Sequence, residues 1–236
     1  MKGQRRFYKT VSLSADGGVL LDGKPVKTPM KAVLVLPAAA LARAVAEEWQ
    51  AQGEKIDPAS MPLTRLANTA VDRVMPGRPR IVAEMLQFAG SDLTCYRAEA
   101  PPDLIERQTA AWNPVLDWAV AELDVAFVVT AGIVHRPQPE AALKAVEAHL
   151  DGLDPFVLAA LYNLMTLTGS LLIAAMTVAG RLEPEAAWRA AHTDEEYQIA
   201  KWGEDAEARR RLDLRHREFL TCCRFARLAA ASQTEA

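Results

Sequence analysis

The sequence predicts an α+β fold, with a small N-terminal antiparallel sheet-plus-helix domain followed by a larger all-helical domain. Three observations carry this. Residues 1–36 read as short apolar runs separated by Gly- and Asp-rich turn chemistry. From about residue 79 onward, apolar residues recur at helical spacing. Between the two regions, DRVMPGRPR (Asp72 to Arg80) is dense in Pro, Gly and Arg, the composition of a boundary. The expected domains are therefore 1–78 and 79–236.

The elements follow in order. Arg6 to Ser14 alternates, Val19 to Leu21 is a short apolar run, and Ala32 to Leu36 is another. SADGG and LDGKP between them suit positive φ and tight reversals, so the three runs predict a meander. A helix follows from about Pro37 to Gln52, with Pro37 in its first turn and Gly53 at its exit. Leu41, Val45, Glu48 and Trp49 share one face of it, which predicts that Trp49 packs on the sheet. Pro79 to Ala89 is the next helix, and SDLTCYRAEA a short extended link. Pro101-Pro102-Asp103 opens a helix through Gln108 and Trp112 that Pro114 restarts or kinks before it reaches Leu123. Val125 to Val134 is apolar and β-branched, which fits a buried strand or an extended crossing. Further helices begin near Pro137, Pro155 and Pro184, and the last runs from about Ala206 to Ala230.

The composition excludes several function classes. The chain has 236 residues, half of them apolar, and a net charge of -3, so no basic excess marks a nucleic-acid binder. Arg209-Arg210-Arg211 reads as a solvated helix face beside Glu207. Cys95, Cys222 and Cys223 match neither a zinc site nor a disulfide framework, which fits a reducing cytosol. The N-terminus has no apolar core of the kind a signal peptide needs. Pro155 to Gly180 carries no charge and is long enough to span a bilayer, but it holds Tyr162, Asn163, Thr166, Thr168, Ser170 and Thr177. A helix buried on all sides in a soluble bundle fits it better than a membrane anchor. Gly18 to Lys24 has the spacing of a phosphate-binding loop, but Pro25 stands where that loop needs Ser or Thr, and the intervening residues form a strand. No cofactor, nucleotide or metal site is expected. His135, His149, His192 and His216 do not make a zinc-hydrolase pair, and no serine sits in a nucleophile elbow.

The most informative stretch is DEEYQIAKWGED, Asp194 to Asp205. On one helix from Pro184 to Gly203, Trp188, His192, Glu195, Ile199 and Trp202 fall on a single face. A carboxylate in such a seam must be paired, protonated or open to a ligand. Three readings follow: a structural His192–Glu195 pair, a catalytic dyad of those two residues, or an acidic-aromatic surface for a protein that Glu196 and Tyr197 extend. Trp49, Trp112 and Trp118 fit the core, and Arg97 caps a helix or ties the domains together.

RRFYKTVSL, LDGKPVKTP, VAEEWQAQG, MPLTRLANTAVDRV, DLTCYRAE, WNPVLDWA and EEYQIAKWG run in order from near Arg5 to Gly203. Together they resemble the assembly chaperones of the F-type ATP synthase that act on the alpha subunit of its catalytic head. The sequence departs from that pattern at His192-Thr193-Asp194, where the family has a more aliphatic and acidic run. The resemblance implies two domains and no catalysis. It implies a monomer that binds the unassembled alpha subunit as protein client and keeps it from aggregating until the beta subunit replaces it. It places Glu195, Glu196, Tyr197 and Trp202 at the client surface, and it points to a bacterial member in the cytoplasm. The rival function is a small-molecule hydrolase or lyase using His192 with Glu195 in an inter-domain cleft. A membrane-associated factor held by Pro155–Gly180 is the second rival.

Overall fold

The structure, a computed structural model, describes residues 4–203 and 205–231. It is α+β: a three-stranded antiparallel sheet near the N-terminus, then predominantly helix. The described residues form two compact units. The first comprises 4–78 with 154–160 and 224–231, and the second 79–153, 161–203 and 205–223.

In the first unit β1 (Val11–Leu13), β2 (Val19–Leu21) and β3 (Lys24–Pro25) pair in sequence order. Leu21 faces Lys24 across a two-residue turn whose Asp22 and Gly23 both have positive φ, 47° and 77°. That is the hairpin conformation Asp-Gly favours, because its twist matches the flanking strands. The stretch with phosphate-loop spacing is thus a hairpin. Two expectations are corrected here. Lys24–Pro25, expected in a turn, form the third strand. Ala32 to Leu36 forms no strand and joins by isolated bridges, Lys27 to Val33 and Gly18 to Val35. The expected strand from Arg6 to Ser14 is also shorter, limited to Val11–Leu13.

Helix α1 (Ala39–Gln50) buries Leu41 and Val45. Trp49 meets Tyr8 edge to face with ring centroids 5.8 Å apart, and the Tyr8 hydroxyl donates to the Trp49 carbonyl at 2.6 Å. Glu48 caps the next helix, α2 (Pro62–Thr69). Its carboxylate accepts from the Leu63 and Thr64 amides, each at 2.8 Å, and from the Thr64 hydroxyl at 2.7 Å. Those amides are among the donors a helix start leaves open. A π-helical turn (Ala70–Val74) leads directly into α3 (Met75–Gly90). DRVMPGRPR, within which the two units divide, has a helical backbone, with its Pro and Gly absorbed as a non-helical step at Gly77 (φ -111°, ψ 15°). Asp72 from the π turn accepts from the Thr28 hydroxyl and the Met30 amide, which holds the turn after the sheet.

The second unit is helical around two very short strands, β4 (Tyr96–Arg97) and β5 (Thr130–Ala131), paired in parallel. Helix α4 (Pro102–Leu123) runs through Pro114 without a break. The residues from Val125 to Val134 are not a buried strand: apart from β5 they lack regular structure, and Ile133 is 97% exposed. Gln138 fixes this segment by bonding both the amide and the carbonyl of Val128, at 2.8 and 3.0 Å. Helix α5 (Glu140–Asp151) follows.

The uncharged stretch from Pro155 forms two helices, α6 (Pro155–Thr168) and α7 (Leu171–Val178), not one. Gly169 turns the chain at φ 68°, and the Ser170 hydroxyl caps α7 by accepting from the Ile173 amide at 3.0 Å. Leu171 to Thr177 are all buried, as a helix packed on all sides requires. No described helix is long and apolar enough to cross a membrane. Asp92 holds this corner. Fully buried, its carboxylate accepts from the Thr94 amide and hydroxyl, the Ser170 hydroxyl and the Leu172 amide, at 2.7–3.1 Å. Burial pushes its pKa up, against those hydrogen bonds. The remaining helices are α8 (Pro184–Ala191), α9 (Thr193–Trp202) and α10 (Ala206–Ala230).

Candidate protein-binding surface

The helix expected from Pro184 to Gly203 is two helices. His192 breaks it with φ -114° and ψ 23°, between α8 and α9. Its ring lies on Trp188 with centroids 3.8 Å apart, and Nδ1 bonds the Trp188 carbonyl at 2.9 Å. A carbonyl can only accept, so Nδ1 carries the proton. Burial pushes the His192 pKa down, with the Trp188 carbonyl and then Glu195 opposing.

The break redirects every residue after it, and the five-residue seam is not formed. Trp188 and His192 are buried, Ile199 is half-buried, Glu195 is exposed and Trp202 is 79% exposed. Tyr197, expected beside the seam, is the residue that turns inward. Its hydroxyl donates to Asp103 Oδ1 at 2.9 Å, and Lys201 reaches Asp103 Oδ2 at 3.3 Å. Arg107 and Lys201 stand 5.4 and 5.3 Å from the centre of the Tyr197 ring. The tyrosine hydroxyl, then the lysine, hold the exposed Asp103 carboxyl below its usual range, and Asp103 holds the Lys201 ammonium above its own. Asp194 accepts from Gln108 Nε2 at 2.7 Å, a second tether to α4.

Trp112 completes the platform. It is fully buried, donates from Nε1 to the Ala190 carbonyl at 2.7 Å, and lies 5.1 Å from the Arg97 guanidinium. Among the described residues Arg97 bonds the middle of α4 rather than a helix end. It donates to the Gln108 carbonyl at 2.7 Å and to Asn113 Oδ1 at 2.9 Å, which braces the middle of α4.

Two acids of the first turn of α9, Glu195 and Glu196, are left facing solvent. Neither carboxylate makes a hydrogen bond or ion pair among the described residues. Glu196 lines a groove of about 560 Å³ with Arg107, Ala111, Pro114 and Arg189. Glu195 and Trp202 line another of about 370 Å³ with Ile199, Ala208 and Leu212. A smaller recess of about 250 Å³ holds His192, Glu195 and Arg215, but no hydrogen bond joins His192 to Glu195. Among the described residues no group of His, Cys, Asp and Glu could hold a metal ion.

Helical spacing put Glu195 and Trp202 in a seam, and the resemblance put them with Glu196 and Tyr197 at a client surface; Glu195, Glu196 and Trp202 are exposed, while Tyr197 is buried. The sequence reading missed Asp103, Gln108 and Arg107, which fasten the helix from α4. The four-residue spacing of Tyr197 and Lys201 was the available signal that one partner could receive both.

An unpaired acid pair and a bare indole beside apolar grooves have the composition of a protein-docking surface. The chain is similar to several solved structures. Atp12 from Paracoccus denitrificans is 41% identical, with a TM-score of 0.91 over 95% of this chain and 98% of that one. A point mutant of the same Paracoccus protein gives the same identity and TM-score, over 97% of its chain. The Atu1473 protein from Agrobacterium tumefaciens is 42% identical, with a TM-score of 0.83 over 94% of this chain and 85% of that one. A sequence model of the ATP12 chaperone protein matches residues 5–120. The chain belongs to the ATP12 chaperone family.

Proposed function

We propose that this protein, an ATP synthase assembly chaperone by family, binds the unassembled alpha subunit through the exposed face of α9 and shields it until the beta subunit takes its place. The carrying observation is Trp202. An indole that is 79% exposed on a helix fixed at Tyr197 is not there for packing. Glu195 and Glu196 add charge that would steer and orient a basic client surface, at little folding cost because both are already solvated. The tethers at Asp103 and Gln108 make α9 rigid, so that little side-chain and backbone order remains to be lost on binding. The chaperone works as a monomer in the cytoplasm and needs neither nucleotide nor metal.

The geometry gives the hydrolase reading less support. His192 is directed to a backbone carbonyl, its pKa is lowered, and Glu195 stands in solvent.

The test is co-expression with the cognate alpha subunit in the absence of beta, followed by size exclusion of the soluble fraction. Co-elution, with alpha aggregating when this chain is omitted, is the expected result. Unchanged alpha solubility and no shared peak would refute the proposal.

A further inference from the structure

The sheet of the first unit carries apolar side chains on both faces. The pairing register fixes which side chain lies where. Ser12 faces Leu20, and Leu20 faces Pro25. Gly18 faces Val35, and Lys27 faces Val33. Opposed residues of an antiparallel pair project to the same side, as do residues two apart on one strand. Ser12, Gly18, Leu20, Pro25, Lys27, Val33 and Val35 therefore share one face. The intervening Val19, Leu21, Val26, Leu34 and Leu36 are all buried, so that first face is the outer one.

A sheet with one solvated face ordinarily puts polar residues there. Here Val33 and Val35 are 48% and 36% exposed, Pro25 is exposed and Leu20 is half-buried. Over Gly18 the face is filled by Ser14, whose hydroxyl oxygen would stand 2.7 Å from a Cβ there. The charge around this face is positive. Lys24, Lys27 and Lys31 are exposed, and none forms an ion pair among the described residues. Two acids lie nearby and stay charged, Asp22, which accepts from the Lys9 and Thr10 amides, and Asp16, which accepts from the Ser14 hydroxyl, but the lysines outnumber them.

We propose that this outer face is a second client-docking surface, which takes an apolar segment carrying acidic side chains. The proposal rests on the chaperone reading above and extends it. Charge complementarity chooses the occupant: free lysines beside aliphatic groups favour carboxylates next to aliphatics. It also separates this surface from α9. A basic client segment suited to Glu195 and Glu196 would be repelled by these lysines, so the two surfaces select different segments of the client.

The experiment has two arms. In the first, immobilised alpha subunit is titrated with the wild type, Lys27→Glu, the double variant Val33→Lys/Val35→Lys, and Glu195→Gln. Both sheet variants are expected to raise Kd about tenfold or more with melting unchanged, since the altered side chains already face solvent. In the second arm, a synthetic peptide of alternating Glu and Leu is added to the isotopically labelled full chain. Amide shifts centred on Lys27, Val33 and Val35, lost in Lys27→Glu, are expected. If the peptide leaves those amides unmoved, the proposal is overturned even where alpha binds. If the peptide binds there and alpha does not bind the wild type, the sheet surface stands and the alpha-subunit reading fails. Wild-type binding of alpha by both sheet variants overturns the client assignment. Concentration-dependent dimerisation abolished by Val33→Lys/Val35→Lys gives the face to a second copy, and that also overturns it.

Discussion

Replacing Trp202 with Ala separates the binding reading from any structural one. Trp202 is 79% exposed at the C-terminal end of α9, so its removal takes away few intramolecular contacts. Folding stability should change by no more than about 0.5 kcal/mol. Binding is different. A covered indole buries about 200 Å², of which about 150 Å² is still open here and would be worth about 4 kcal/mol at about 25 cal/mol per Å². Ordering the side chain on association takes back about 1 kcal/mol. The remainder, about 3 kcal/mol, is the size of an interface hot spot and corresponds to a rise in Kd of about 150-fold. The assay is titration calorimetry against the alpha subunit, with melting by scanning calorimetry on the same preparations. A rise in Kd below about threefold, with alpha bound normally by the wild type, would refute the placement of Trp202 in the interface. A fall in melting temperature of several degrees would show that the indole packs in the folded chain after all.

Glu195→Gln and Glu196→Gln should each weaken alpha binding severalfold, an effect that fades with added salt while melting stays fixed, because both carboxylates are solvated. Equal affinity of the variants at low salt would remove them from the site. Asp92→Ala should be the most destabilising change, by about 3–5 kcal/mol, since it strands the buried Thr94 and Leu172 amides that the carboxylate receives. A denaturant midpoint close to wild type would contradict that. Tyr197→Phe removes the hydrogen bond to Asp103 and should let the Asp103 pKa rise toward its ordinary value. Because the folded-state pKa of Asp103 is depressed, its contribution is present above the unfolded pKa near 4 and is lost as pH falls through the folded value. Carboxyl titration by NMR in both proteins checks the direction, and an unmoved Asp103 resonance would remove Tyr197 as the cause.

The fold was legible where local chemistry decides the backbone. Asp22-Gly23 specified its own hairpin, and Pro at the first turn marked α6 and α8. It was illegible where tertiary contacts override composition. DRVMPGRPR has the composition of a boundary, and the two units do divide within it, yet its backbone is helical, because Asp72 is tied to Thr28 and Met30 while Gly77 absorbs the irregular step. Val125 to Val134 reads as a buried strand or an extended crossing. Beyond its short pairing with β4, side-chain hydrogen bonds from Gln108 and Gln138 hold the neighbouring backbone, and no periodicity announces such bonds. Asp92 was invisible for the same reason, since its partners at Ser170 and Leu172 are some 80 positions away.

The candidate site was half legible, and the missing half reverses the argument. A continuous helix from Pro184 to Gly203 would have put Glu195 in line with Trp188, where a carboxylate needs a partner and His192 is the obvious one. The structure ends α8 at Ala191, stacks the His192 ring on Trp188 and restarts at Thr193, whose hydroxyl bonds the Ala190 carbonyl at 3.0 Å. The phase of the second helix is then set by Tyr197, which goes in to meet Asp103, and not by the tryptophans. With Tyr197 inward, Glu195 and Trp202 are carried out to solvent and Glu196 to a groove rim. The residues that made a dyad plausible on paper are thus divided by the break. His192 becomes part of the packing, while the acids become free charge on a rigid platform, a surface fit to hold another protein.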